Sequence, residues 1–166
     1  MPRSEQGVSK DRFNVIPRSL VFINRGNAVL LLKGAPSKWL WANKYNGIGG
    51  HVERGEDVLN GARRELLEES GLSGVDLWLC GVAMIDAGED TGICIFMFRG
   101  EYGGGEIRQS HEGGLDWIKV DQLENHPLVE DLQVILPRLM ALKRGDSPLY
   151  LHYHYDDKDQ LQIRFG

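Results

Sequence analysis

The sequence predicts one α/β domain, with a mixed sheet lying between helices and a β-hairpin at the C-terminal end. Three observations predict it. Strand-like apolar runs stand before, between and after two segments whose apolar residues recur at helical spacing. From Leu149 onward, apolar and polar side chains alternate on either side of a polar turn. The length of 166 residues, with 42% hydrophobic and 26% charged, suits a single packed core and leaves no room for two ordinary domains.

Residues 1–12 are polar and mixed in charge. They read as a flexible lead-in to a domain over 13–166, and are neither a signal peptide nor a membrane anchor. Val15 to Asn24 is an apolar run suited to a buried strand. The turn Asn24-Arg25-Gly26-Asn27 and the run Ala28 to Lys33 complete a hairpin. Trp39 to Glu56 is aromatic, glycine-rich and irregular. Asp57 to Ser70 reads as a helix, with Asp57 as N-cap and Gly71 as its stop. Val75 to Asp86 and Gly92 to Arg99 read as strands around the turn 87–90. A loop follows from Gly100, and Leu115 to Val120 reads as a further strand. Val129, Leu132, Ile135, Leu136, Leu139 and Met140 have helical spacing. Pro137 requires that helix to kink there or to begin only a few residues earlier. In the closing hairpin Leu149, Leu151, Tyr153 and Tyr155 share one face, and Leu161, Ile163 and Phe165 share one face of its partner.

Charge and cysteine usage exclude some functions. Nineteen Lys+Arg against 24 Asp+Glu give a net charge of −5, which speaks against a surface that coats DNA or RNA. Small phosphorylated ligands stay open, because a divalent cation can sit between carboxylates and phosphate. Cys80 and Cys94 form no CxxC pair and read as buried free thiols, which points to a reducing, cytoplasmic setting. No apolar run approaches the roughly 18 residues of a membrane helix.

The chemistry concentrates in Gly50 to Leu72. On a helix, with Glu65 at the origin, Glu68 lies at about −60° and Glu69 at about +40°. Val58, Ala62 and Leu66 follow at about +20°, +60° and +100°, an adjoining stripe that can dock on the sheet. Two carboxylates about 5 Å apart repel by roughly 3 kcal/mol at an effective dielectric of 20. A divalent cation is the stronger remedy, beside the i,i+4 pair Arg64–Glu68. Gly47, Gly49 and Gly50 remove side chains where backbone can approach a ligand or metal.

This segment resembles the Nudix box, G-x5-E-x7-R-E-U-x-E-E-x-G-U with U aliphatic. It matches at Gly50, Glu56, Arg64, Glu65, Leu66, Glu68, Glu69, Gly71 and Leu72. A chance match in such a chain is well below about one in a million. The resemblance covers roughly Val15 to the end. It implies an α/β/α sandwich that hydrolyses a nucleoside diphosphate linked to another group, with Mg²⁺, or Mn²⁺ in its place. Glu65, Glu68 and Glu69 resemble the metal-binding carboxylates, with a Gly49 or Gly50 carbonyl as a further ligand. Arg64 resembles the residue that orients them, and Glu56 a support for the loop. Glu112 is similar to a loop glutamate that serves some members as metal ligand or base. The general base stays open between Glu69, Glu65 and Glu112.

The string from Asn46 to Leu72 and the C-terminal segment are similar to the MutT-type enzymes that remove oxidised purine triphosphates. By that resemblance Asn46 would bond the purine, Glu130 and Asp131 would read its edge, and Ser19 and Lys33 would lie near the pocket. The sequence departs from the pattern in having Glu-Asp for an acidic Asp-Asp pair, and Leu128 where an aromatic would stack; Trp39 and Trp41 are another source of stacking. Plainer roles stand beside these: Asn46 as a turn residue, Glu130 and Asp131 as favourable charge at a helix N-terminus, Trp39, Trp41 and Tyr45 as packing, and His152 and His154 as surface histidines. The expected activity is Mg²⁺-dependent pyrophosphohydrolysis of nucleoside triphosphates such as 8-oxo-dGTP, giving monophosphate and pyrophosphate. The chain would work as a monomer or homodimer, with neither a nucleic-acid polymer nor a membrane as partner. Alternatives are another nucleoside diphosphate derivative (a dinucleoside polyphosphate, a nucleotide sugar, an RNA 5′ end) or a non-catalytic nucleotide sensor. The intact set of box carboxylates favours an enzyme.

Overall fold

The computed structural model describes residues 2–9, 11–37, 39–108 and 113–166, and its centre is the strand β1 (Asn14–Arg25). Gly26, at φ 59°, turns the chain into β2 (Ala28–Gly34). Two short strands, β3 (Tyr45–Asn46) and β4 (Ile48–His51), precede helix α1 (Val58–Ser70). Then come β5 (Trp78–Ile85), β6 (Thr91–Glu101), β7 (Gly113–Lys119), helix α2 (Leu132–Ala141) and the hairpin β8 (Leu149–Tyr155) and β9 (Leu161–Phe165). One edge of β1 runs parallel to β6 from Asn14 to Asn24. Its other edge is shared, antiparallel in both cases, by β4 over Arg18–Val21 and by β2 over Ile23–Arg25. β5 pairs antiparallel with β6 and parallel with β8, so the sheet is mixed.

Strand alternation divides the core. Val21, Ile23, Leu30 and Leu32 face Ala62 and Leu66 of α1. Phe22, Val29 and Leu31 face Leu132, Ile135, Leu136 and Leu139 of α2. The sheet thus has a helix on each face, which is the expected α/β/α arrangement.

Both helices end for identifiable reasons. The Asp57 carboxylate accepts from the N–H groups of Leu59 and Asn60, each at 2.9 Å, and Gly71 closes α1 in the left-handed region at φ 75°. α2 runs only from Leu132 to Ala141, with Pro137 in its middle, where the missing N–H leaves the Gln133 carbonyl without its i→i−4 donor. At its other end the buried Arg99 guanidinium donates to the carbonyls of Leu139, Met140 and Leu142 at 2.7 to 3.2 Å. Those are carbonyls a helix end leaves without intrahelical partners.

The strand boundaries shift where tertiary contacts intervene. β5 begins at Trp78, not Val75, because the chain crosses over Gly100 there; a Cβ on Gly100 would sit 2.6 Å from Val75 and 3.0 Å from Leu77. Within the irregular Trp39 to Glu56 stretch, β1 and β2 impose strand pairing on β3 and β4. Val120 opens a 3-10 turn, Val120–Asn125, instead of closing β7, and the lead-in holds a 3-10 turn at Arg3–Glu5. Cys80 and Cys94 are both free and buried, as expected, and burial pushes the Cys80 thiol up to about 12. Among the described residues, no helix is long and apolar enough to cross a membrane.

Candidate active site

The apolar stripe of α1 places its acidic face. Ala62 and Leu66 are fully buried against the sheet, which turns Glu65 and Glu69 toward β4 and leaves Glu68 half exposed. Glu65 lies against the Cα of Gly50; a Cβ there would be 2.6 Å from its carboxylate carbon and 2.8 Å from Oε2. β4 is therefore glycine at that point because a carboxylate occupies the space.

Arg64 organises the cluster. Its Nε and Nη2 hold both oxygens of Glu56, at 3.1 and 2.7 Å. Nη1 donates to Glu65 Oε1 at 2.8 Å and to Glu68 Oε2 at 3.2 Å, while Nη2 also donates to the His51 carbonyl at 2.9 Å. Glu56 accepts the Glu53 N–H as well, at 2.7 Å, which ties the loop before α1 to the helix. The Arg64 guanidinium holds the Glu56 carboxyl below the usual carboxylate range, while burial raises that of Glu65. Among the described residues, no three metal-ligating side chains already surround one point. One oxygen of Glu65 and one of Glu68 accept from Arg64. The donor set itself, three glutamates on one helix face beside the glycine backbone of β4, is the hard oxygen set that Mg²⁺ takes. Glu112, the fourth expected carboxylate, lies outside the described residues.

A second group converges from elsewhere in the chain. The Tyr45 N–H donates to the Pro127 carbonyl at 2.8 Å and its carbonyl accepts the Val129 N–H at 2.9 Å. This ladder carries Asn46 to the start of α2, across some 80 positions of sequence. Tyr45 is itself buried and bonded to Asp116 at 2.7 Å, which pushes its phenol up to about 12. Asp131 does not cap α2 with its side chain; it accepts the Tyr153 hydroxyl at 3.0 Å, and burial raises its pKa.

The two groups share one open cavity of about 840 Å³. Glu65, Glu69 and Gly50 line one end; Asn46, Glu130, Asp131 and Tyr153 line the other. Ser19 lines it as well, buried, with its hydroxyl lacking a hydrogen-bond partner. Trp39 and Trp41 stand at the cavity, and Trp39 is 93% exposed, so it is not a packing residue. Asn46 keeps a turn role too, since its Oδ1 accepts the Gly47 N–H at 2.8 Å. Lys33 is not brought in. Alternation along β2 puts it on the face of Val29 and Leu31, with its ammonium 5.5 Å from the centre of the Tyr45 ring. Leu128 is buried beside Tyr45 and lines no part of the cavity. His152 and His154 stack at 5.4 Å on the outer hairpin, away from the cavity. Sequence reasoning missed Arg18, Ile93, Ile95 and the phenol of Tyr153, all of which line the cavity. Only the alternation in β8 gave a hint of Tyr153, and there it read as an apolar-face residue.

The NUDIX domain pattern matches residues 16–139. An oxidized purine nucleoside triphosphate hydrolase from Mus musculus is 31% identical over 144 residues, covering 86% of this chain and 88% of that protein. A hydrolase of the same name from Danio rerio is 33% identical over 127 residues, covering 76% and 80%. Among solved structures, a mutator MutT protein from Bacillus halodurans superposes with a TM-score of 0.72 at 27% identity, covering 90% of this chain and 97% of that one. MutT from Methanosarcina mazei shares the fold, at a TM-score of 0.66 and 21% identity, over 78% and 95%.

Proposed function

The chain belongs to the NUDIX domain family and is a MutT-type Nudix hydrolase; on that premise we propose that it is a Mg²⁺-dependent pyrophosphohydrolase of oxidised purine nucleoside triphosphates such as 8-oxo-dGTP. One observation carries the reading: a single cavity runs from the glutamates of α1 to the polar group at Asn46 and Asp131. A nucleotide is the ligand class that needs an oxyanion-binding end and a base-reading end at once. The names of the mouse and zebrafish relatives support the oxidised purine.

Glu65, Glu68, Glu69 and the Gly50 carbonyl would hold the metal, joined by Glu112. When bound, the metal polarises phosphoryl oxygen and lowers the pKa of its water. Arg64 fixes the carboxylates by holding one oxygen each of Glu65 and Glu68, leaving the others for the metal. Water adds to phosphorus as the P–O anhydride bond breaks, and pyrophosphate leaves from the nucleoside monophosphate. The water's proton passes to Glu65, Glu69 or Glu112. At the base end, the Asn46 amide can donate, and Asp131, whose burial favours the neutral acid, can donate or accept. Trp39 and Trp41 supply the stacking face that Leu128 does not. Cys80 and Cys94 remain thiols in a reducing cytoplasm, the proposed compartment.

The test is hydrolysis of 8-oxo-dGTP, dGTP, the other triphosphates, diadenosine polyphosphates and ADP-ribose, each with and without Mg²⁺. Cleavage that requires the metal and favours 8-oxo-dGTP over dGTP tenfold in kcat/KM is expected, about 1.4 kcal/mol of base discrimination. Equal rates on plain and oxidised purines would overturn the substrate assignment, and no Mg²⁺-dependent cleavage would overturn the enzyme.

A further inference from the structure

We propose that Arg18 binds the phosphate chain of the ligand, from the side of the cavity opposite the α1 glutamates. The inference rests on the nucleotide reading above. Arg18 lies on β1, where it pairs with His51 of β4; the next pair, Ser19 with Gly50, is the one whose glycine touches Glu65. Arg18 is thus one residue along the strand from the acidic end of the cavity. Asn46 belongs to β3, which pairs with β2 and not with β1, and marks the far end.

Successive residues of β1 point to opposite faces of the sheet. Ser19 has the parity of Val21 and Ile23, which face α1; Arg18 has the parity of Leu20 and Phe22, which face α2. Both residues nevertheless line the same cavity, Arg18 from the α2 side of β1 and Ser19 from the α1 side.

The Arg18 side chain is partly buried. Its Nε is buried and has no hydrogen-bond partner, and among the described residues no carboxylate lies within ion-pair distance. A donor nitrogen enclosed without an acceptor is unfavourable, so Nε favours a ligand that brings one. The described basic side chains lining the cavity are Arg18, His51 and Lys44, and Lys44 lies beside Gly34, toward Asn46. Arg64 is committed to three glutamates and a carbonyl. Against these stand Glu53, Glu65 and Glu69, which repel a polyanion. Arg18 is therefore the fixed cation available to phosphate oxygens at this end, and a guanidinium suits them through its forked donors.

Arg18→Met keeps the stem that packs on the strand and removes the charge. In EDTA, calorimetric binding of inorganic pyrophosphate should weaken at least tenfold in Arg18→Met and recover most of that loss in Arg18→Lys. With Mg²⁺ and dGTP the change should fall in KM more than in kcat. The inhibition constant of dGMP should rise at least tenfold while that of deoxyguanosine stays within threefold. Unchanged pyrophosphate binding, or an equal loss for deoxyguanosine, would overturn the assignment; the latter would make Arg18 a base or sugar contact. If Arg18→Met loses cooperative melting, Arg18→Gln gives the same comparison with a polar head. The nucleotide reading fails separately, if the wild-type protein hydrolyses no nucleoside triphosphate, and the pyrophosphate measurement still decides on Arg18.

Discussion

Gly50→Ala separates the catalytic geometry from the stability of the fold. The new methyl carbon would stand 2.6 Å from the Glu65 carboxylate carbon and 2.8 Å from Oε2, whereas ordinary contact begins at 3.4 Å. The carboxylate must retreat by about 1 Å, a displacement that can cost roughly 100-fold in rate when it misplaces a reacting group. What has to move is the end of a side chain, so the fold should tolerate it. The carboxylate is nevertheless not free to move without consequence, since Arg64 holds Oε1 at 2.8 Å and would have to follow or let go. The expected result is a fall of about two orders of magnitude in Mg²⁺-dependent kcat/KM, with the melting temperature lowered by no more than about 3 °C, roughly 1 kcal/mol for a chain of this size. Gly49→Ala is the contrast. There the methyl meets backbone, 2.9 Å from the Ser19 carbonyl carbon and 3.0 Å from the Leu20 Cα, with the Ser19 oxygen closer still. Relief requires β1 and β4 to separate, so Gly49→Ala should lose stability first. Calorimetric melting and steady-state hydrolysis of dGTP on both variants decide the matter. Full activity in a folded Gly50→Ala protein would refute the placement of Glu65 at the reaction centre.

Three more expectations follow from the same contacts. Glu69→Gln should lower kcat by at least a hundredfold with its far-ultraviolet circular dichroism unchanged, and Mg²⁺ should raise the wild-type melting temperature more than that of the variant; equal shifts would remove Glu69 from the metal site. Arg99→Met should strip the end of α2 of its donors and cost about 2–4 kcal/mol, since the carbonyls of Leu139, Met140 and Leu142 lose a charged partner; denaturant unfolding that shows less than about 1 kcal/mol would refute the capping role. Burial raises the Asp131 pKa in the folded state, so the folded protein binds that proton more tightly than the unfolded chain. The resulting stability is present below the unfolded carboxyl pKa, about 3.9, and is lost as the pH rises through the folded value. Asp131→Asn, which keeps an acceptor for Tyr153, should therefore melt higher than wild type at pH 7, with the advantage vanishing toward pH 4; a pH-independent difference would sink this account.

What the sequence by itself determined is whatever local chemistry dictates. Asp57 and Gly71 bound α1 because a cap carboxylate and a left-handed glycine act on backbone a few residues away. The face shared by Glu65 and Glu69 beside Ala62 and Leu66 follows from the helical repeat, and the alternation in β8 from the strand repeat. The spacing of the Nudix box made the proposed metal carboxylates legible for the same reason, since Arg64 reaches Glu65 and Glu68 within one turn. The tertiary structure alone decided the other end of the site. Asn46 shares a cavity with Asp131 because Tyr45 pairs with Pro127 and Val129, a contact without local periodicity. Lys33 turned out to face the α2 side of β2, over Tyr45, because one step along a strand sends a side chain to the opposite face. Arg18 gave no sign in the sequence: a lone arginine in an apolar strand gains meaning only when β4 and β6 close on both its edges and leave its Nε without an acceptor. Short-range geometry is written in residue spacing, whereas a ligand cavity is made by chain segments whose proximity is a product of the whole packing.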